Sequence, residues 1–286
     1  MIKHFFAGLE QTVTTPNSEV ISTGQVQHSR TPLYQAPNKQ AVQISQLLLG
    51  EIFDTYSLEP KLSAVGSEQH WHLVQSQRDD YVGYLYSPEI KAPSYTPNAK
   101  VCKLSTALYS APHMKAPMLW QLPFGAQIEV AQSTADYLYS PPLQGWIHSE
   151  HVLLDESPHQ DPVALARQFI GQSYLWGGRS GWGCDCSSLV QLCYELSGCH
   201  LPRDSVLQQR YAPSFSTDNI AIERAQKGDL IYWPGHVAIV SSATQLIHAT
   251  CIGMHVVEEP IATVCHRMAT QQRRQISAVL RPVLTR

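Results

Sequence analysis

The chain lacks the features that mark membrane and nucleic-acid proteins. No run of about 18 apolar residues occurs, so no membrane-spanning helix is expected. Charged residues make up only 15% of the chain, the formal net charge is −3, and no lysine- or arginine-rich run is present. That excludes the basic footprint by which proteins hold nucleic acid or anionic membrane, and leaves a small molecule as the expected partner. The opening residues Met1 to Glu10 are too short for a secretory hydrophobic segment, so the chain reads as unexported. Its seven cysteines are odd in number and lack disulfide-type spacing. They fit a reducing compartment in which a reactive thiol survives, and a cytoplasmic location is the expectation. With 286 residues and 43% hydrophobic content, the chain can build more than one core, and about two domains are expected.

What is present is a glycine-rich string that runs into a helical pattern. Trp176-Gly177-Gly178-Arg179-Ser180-Gly181-Trp182-Gly183-Cys184-Asp185-Cys186-Ser187-Ser188 leads to Leu189, Val190, Cys193 and Leu196, spaced three and four apart, with Gly198 as a stop. Cys186 therefore falls in the first turn of a helix. Unpaired N–H groups and the helix dipole there favour thiolate over thiol, the form that attacks carbonyls. A free thiol ionises only slightly at neutral pH, so a nearby imidazole is needed to complete the activation.

Downstream, Lys227 to Trp233 reads as a strand, Pro234-Gly235 as a tight turn, and His236 as the first residue of the next strand. Gln245 to Thr250 reads as a third strand carrying His248, where ladder neighbours can stand side by side. This pattern predicts His236 as base and His248 as its orienter. An alternative is zinc held by Cys184, Cys186, His236 and His248. Cys-x-Cys is tighter than the usual ligand spacing, and cysteine chemistry without metal or other cofactor is the reading preferred.

Taken together, Tyr174-x-Trp-Gly-Gly178, Asp185-Cys186-Ser187, Gly228-Asp229 with His236, and His248 resemble the motifs of NlpC-type cell-wall peptidases, which are papain-like cysteine hydrolases. The resemblance covers about residues 160–286. It implies an α+β fold in which the cysteine helix packs on an antiparallel sheet that supplies both histidines. The chain's own pattern agrees. Asp161 and Pro162 signal a helix start ahead of Val163, Ala166, Phe169 and Ile170, and strand-like runs follow at 229–233, 236–241, 245–250, 254–257 and 276–283. By analogy, Cys186 attacks an amide carbonyl, His236 protonates the departing amine, and His248 fixes the imidazole tautomer. The Cys186 N–H and the Tyr174 hydroxyl would hold the oxyanion, although Tyr174 also suits plain packing.

Leu201-Pro202-Arg203-Asp204-Ser205, with Asp204 18 residues after Cys186, is similar to the Arg-Asp-Ser segment of the γ-D-glutamyl-L-diamino acid endopeptidases. The resemblance implies that Asp204 and Ser205 select murein peptides with a free N-terminal L-Ala. L-Ala-γ-D-Glu would then be released during cell-wall recycling. Asp185 and Ser187 are substrate-binding candidates on the same ground. Each also has an ordinary reading: Asp185, Ser187 and Asp204 suit helix caps or turns. Amidase or acyltransferase chemistry on the same thioester, or a non-catalytic wall-fragment binder, are the alternatives in function.

Residues 1–160 show no helical periodicity. Short β-like runs broken by Pro, Gly, Asn and Ser form two units that end alike, in Gly83-Tyr84-Leu85 and Gly145-Trp146-Ile147. This resembles paired bacterial SH3-like barrels. The expected organisation is an N-terminal segment at 1–30, barrels at 31–96 and 97–158, and the peptidase domain at 159–286, with an insertion in the first barrel around 57–69. In the similar subgroup a barrel tyrosine helps bind the substrate amine. Tyr81 in Asp79-Asp80-Tyr81-Val82-Gly83 is the matching position, and it suits a packed ring equally well.

Overall fold

The structure is a computed structural model that describes residues 19–57, 70–157, 160–211 and 219–284. The chain divides into two compact units, one of residues 1–157 with 176–182, the other of residues 158–175 with 183–286. The class is α+β, with a sheet-rich N-terminal region and a C-terminal region of few helices on a sheet.

In the first unit, β1 (Val20–Gln25), β2 (Arg30–Tyr34), β3 (Gln43–Leu48), β4 (Ile52–Tyr56), β5 (Trp71–Ser76) and β6 (Val82–Tyr86) form one sheet in the order β1-β4-β5-β6-β2-β3. Strand β1 pairs with β4, so the sheet starts upstream of the expected boundary at residue 31. Most of the insertion expected around 57–69, from residue 58 onward, lies outside the described residues. Inward-facing Leu33, Ile44, Leu47, Phe53, Val74 and Leu85 fill the core, and Tyr81 is buried among them at 2% exposure. That is the packed-ring reading of Tyr81, and its expected substrate contact is not carried further.

The strands that follow are β7 (Ala99–Val101), β8 (Ser105–Tyr109), β9 (Met118–Pro123), β10 (Gln127–Ile128), β11 (Gln132–Ser133), β12 (Tyr137–Ser140), β13 (Gly145–His148) and β14 (Val152–Leu154). They form a five-stranded sheet, β11-β12-β13-β8-β9, and a three-stranded one, β10-β7-β14. Leu49 from the first module joins their core beside Leu108, Leu122, Ile128 and Ile147.

Residues 176–182, with β15 (Arg179–Ser180), also belong to this first unit. Glycine is required there by close approach. A Cβ on Gly181 would stand 1.9 Å from the Leu104 carbonyl oxygen, and one on Gly177, at φ +67°, would stand 2.5 Å from that of Gln43. Arg179 is fully buried: Nη1 donates to Gln46 O at 2.6 Å and to Glu51 Oε2 at 3.0 Å, Nη2 donates to Glu51 Oε1, and Arg78 pairs with the same carboxylate.

The second unit contains α1 (Pro162–Gln168), β16 (Gly183–Cys184), α2 (Cys186–Glu195), α3 (Ser205–Arg210), β17 (Leu230–Trp233), β18 (His236–Val240), β19 (Gln245–Thr250), β20 (His255–Pro260), α4 (Ile261–Gln271) and β21 (Ala278–Leu280). The Asp161 carboxylate caps α1 by accepting the Val163 N–H, with Pro162 in the first turn. Val163, Ala166 and Phe169 are buried as their spacing predicts, whereas Ile170 is 43% exposed. Five antiparallel strands run in the order β20-β19-β18-β17-β21. Helix α2 is buried along its whole length and packs on β18 and β19. Helix α4 lays Val264 and Met268 against Ile231, Ala238, Val240 and Leu246 of the sheet.

Candidate active site

The site is built on the start of α2. Asp185, in extended conformation, closes a capping box: its carboxylate accepts the Ser188 N–H at 2.9 Å, and its own N–H donates to Ser188 Oγ at 3.0 Å. This fixes where the first turn begins and therefore where Cys186 stands. Arg203, 1% exposed, grips the same carboxylate with two nitrogens, Nη1 to Oδ1 at 3.0 Å and Nη2 to Oδ2 at 2.6 Å. Ser187 Oγ donates to Asp185 Oδ1 and accepts from Arg203 Nη1. Asp185 and Ser187 thus share inward partners that fix the first turn of α2 and the place of Cys186.

The Arg203 linkage also places α3. Gln208 donates to Ser187 O and to Pro202 O, both at 2.9 Å, which ties α3 to the first turn of α2. Asp204 occupies the N-cap position of α3 without a capping bond from its side chain. Asp204 and Ser205 are both partly exposed beside this anchored segment.

Cys186 is 8% exposed. The backbone N–H groups of Val237, early in β18, and of Ser187 act on its sulfur. Those donors and Arg203 lower the thiol pKa, but burial, followed by the Asp185 carboxylate, outweighs them and pushes it up to about 12. Burial acts on His236 in the opposite sense, followed by His248, and holds the imidazole well below its ordinary value. Burial at Cys186 thus opposes the helix-terminus effect that favours the thiolate, and burial at His236 favours the neutral imidazole. Tyr174 is half-buried, with its N–H donated to Met254 O at 2.9 Å. Burial first, then nearby Cys186 and Asp185, keep its hydroxyl protonated and able to donate.

His236 and His248 stand in line. His236 Nε2 lies 2.8 Å from His248 Nδ1, with the rings 5.0 Å apart and 75° to each other. His248 Nε2 in turn lies 2.9 Å from Glu259 Oε1. Glu259 is held by Arg267 of α4, Nη2 to Oε1 at 2.6 Å and Nη1 to Oε2 at 2.8 Å. Arg267 first, then His248, keep the carboxyl ionised down to about 2, against the raising effect of burial. Sequence reasoning missed Arg203, Glu259 and Arg267. Glu259 could have been found from hairpin register, since it lies two residues beyond Val257, the cross-strand partner of His248, on the same face.

With both ring nitrogens engaged, His248 has no lone pair for the zinc alternative. Among the described residues no group of three or more His, Cys, Asp or Glu is placed to hold a metal ion. The arrangement offers a buried sulfur, a neutral imidazole as base, and a chain of hydrogen bonds that ends in an ionised carboxylate. Such a set performs nucleophilic acyl transfer.

Comparison with known proteins agrees. Residues 171–275 match the NlpC/P60 family, and residues 33–89 match the bacterial dipeptidyl-peptidase Sh3 domain. Dipeptidyl-peptidase 6 of Lysinibacillus sphaericus is 35% identical over 132 residues, 45% of this chain and 46% of that protein. A gamma-D-glutamyl-L-lysine dipeptidyl-peptidase of Bacillus cereus is 24% identical over 229 residues, 72% of this chain and 66% of that one. The chain thus spans about half to two thirds of the length of these relatives. The crystal structure of an NlpC/P60 family protein from Bacillus cereus superposes with a TM-score of 0.73, covering 92% of this chain and all of that one, at 20% identity, a likeness of fold. The chain thus carries an NlpC/P60 domain at residues 171–275 and a bacterial SH3 domain at residues 33–89.

Proposed function

We propose that the protein is a cysteine peptidase that hydrolyses the γ-D-glutamyl-diamino acid bond of murein peptides with a free N-terminal L-Ala, releasing L-Ala-γ-D-Glu for recycling. The observation that carries the reading is the line from His236 through His248 to Glu259, with both histidines on strands, β18 and β19, against which the Cys186 helix packs. Cys186 gives its proton to His236 as the sulfur attacks the carbonyl carbon. The Cys186 N–H and the Tyr174 hydroxyl hold the oxyanion, His236 passes the proton to the departing amine, and water releases the acid from the thioester.

Specificity rests on Asp204 and Ser205. Arg203, locked onto Asp185, anchors the segment that carries them beside the first turn of α2. In this proposal the Asp204 carboxylate pairs with the substrate ammonium, as the Arg203-Asp204-Ser205 resemblance implies. A cytoplasmic setting belongs to the same proposal, since the cysteines stand as free thiols. The test compares L-Ala-γ-D-Glu-diaminopimelate with its N-acetylated form. The expected result is a kcat/KM at least about 100-fold lower for the acetylated peptide, because it leaves a carboxylate without its ion partner. Equal rates overturn the specificity, and mass spectrometry of the products separates hydrolysis from acyl transfer.

A further inference from the structure

The hydrogen bonds beyond His236 determine which of its nitrogens can act as the base. We infer that Glu259, clamped by Arg267, is a positioning residue that sets the tautomers of both histidines and so makes Nδ1 of His236 the proton acceptor. The inference rests on the peptidase reading above for its kinetic consequence, but its structural content is independent of substrate.

The argument follows the protons. An ionised carboxylate only accepts hydrogen bonds, so the 2.9 Å contact between His248 Nε2 and Glu259 Oε1 requires the proton on His248 Nε2. A neutral His248 carries one proton, and its Nδ1 is then an acceptor. The 2.8 Å contact between His248 Nδ1 and His236 Nε2 therefore requires His236 to donate from Nε2. Neutral His236 is left with a lone pair on Nδ1 and nowhere else. Three buried or half-buried groups thus pass one instruction along the line, and its source is the acceptor-only character of Glu259. Arg267 donates to both oxygens of that carboxylate, which keeps it aimed and anionic. His248 is 1% and His236 7% exposed, so water does not compete for these contacts as it would at the surface.

During attack the Cys186 S–H bond breaks, an N–H bond forms at His236 Nδ1, and the new imidazolium keeps its Nε2–H on His248. No proton needs to travel further, and the Glu259 charge stabilises the cation through His248. Without the carboxylate, the opposite tautomer pair becomes available: proton on His248 Nδ1, acceptor at His236 Nε2, and a proton on His236 Nδ1, where it blocks the base.

The experiment is nitrogen-15 NMR of the histidine side chains in the intact wild type and in Glu259→Gln, with steady-state kinetics on both. The wild type is expected to show His236 and His248 each protonated on Nε2. In Glu259→Gln this single pattern is lost, and kcat falls about 10- to 100-fold while KM changes less than about 2-fold. Glu259→Asp is expected to restore the pattern and most of kcat. A merely structural role would lower the melting temperature while leaving tautomers and kcat unchanged, and that outcome overturns the inference. So does a wild-type spectrum with His236 protonated on Nδ1. Because the spectra need no substrate, Nε2 protonation in a protein that cleaves no γ-D-glutamyl peptide would refute the functional reading alone.

Discussion

At the level of single residues, the site is governed by burial more than by the helix terminus. Cys186 was legible because a thiol in the first turn after a glycine-rich loop has few ordinary explanations, and His236 and His248 because strand periodicity placed them on neighbouring strands. The protonation state was not legible, since desolvation depends on what covers the sulfur and ring, which no local pattern records. The consequence is a pH dependence of definite sign. The base must be neutral, and burial, with His248, Arg274 and Arg267, lowers the pKa of His236 below the ordinary 6.5. Protonation of His236 is thus deferred to lower pH as pH falls, and the acid limb of the kcat/KM profile is expected below pH 6.5. A limb at or above that value would contradict the environment described for His236.

At the level of elements, α2 and the segment leading into α3 act as one construction. Helix starts at Asp161 and Asp185 could be read from their residues, because a carboxylate ahead of Pro162 or Cys186 has a local partner within three positions. The Arg203 grip on Asp185 could not, since 18 residues and a whole helix separate the two. Helix α4 is marked only by the helical spacing of Ile261, Val264, Cys265 and Met268, since it starts on Pro260 without a capping side chain. Asp185→Ala removes the cap and leaves the Arg203 guanidinium, 1% exposed, without its carboxylate. The expected cost is about 3–5 kcal/mol, measured as a lowered denaturant midpoint. Asp185→Asn keeps the cap acceptor and is expected to lose less stability. Equal stability of Asp185→Ala and wild type would mean that the pair does not hold α2 in place.

At the level of the whole molecule, the NlpC/P60 match and the compact units do not coincide: residues 176–182 lie inside the matched range but belong to the first unit. The glycine-rich string ahead of Cys186 owes Gly177 and Gly181 to close approach against Gln43 and Leu104 backbone, a demand visible only in three dimensions. Glu51 and Arg179 carry the electrostatics of that docking, with side chains 0% and 1% exposed. Glu51→Gln leaves Arg179 and Arg78 facing each other without the Glu51 charge between them. The first unit is expected to lose about 3–5 kcal/mol, read as a lower midpoint in chemical denaturation, and an unchanged midpoint would show that the cluster contributes nothing.

The central claim is that one thiol carries the chemistry, and a single substitution tests it most directly. Purified Cys186→Ala, with circular dichroism matching the wild type, is to be assayed on L-Ala-γ-D-Glu-diaminopimelate. Loss of turnover by at least about 10³-fold is the predicted result. Turnover at the wild-type rate would contradict it.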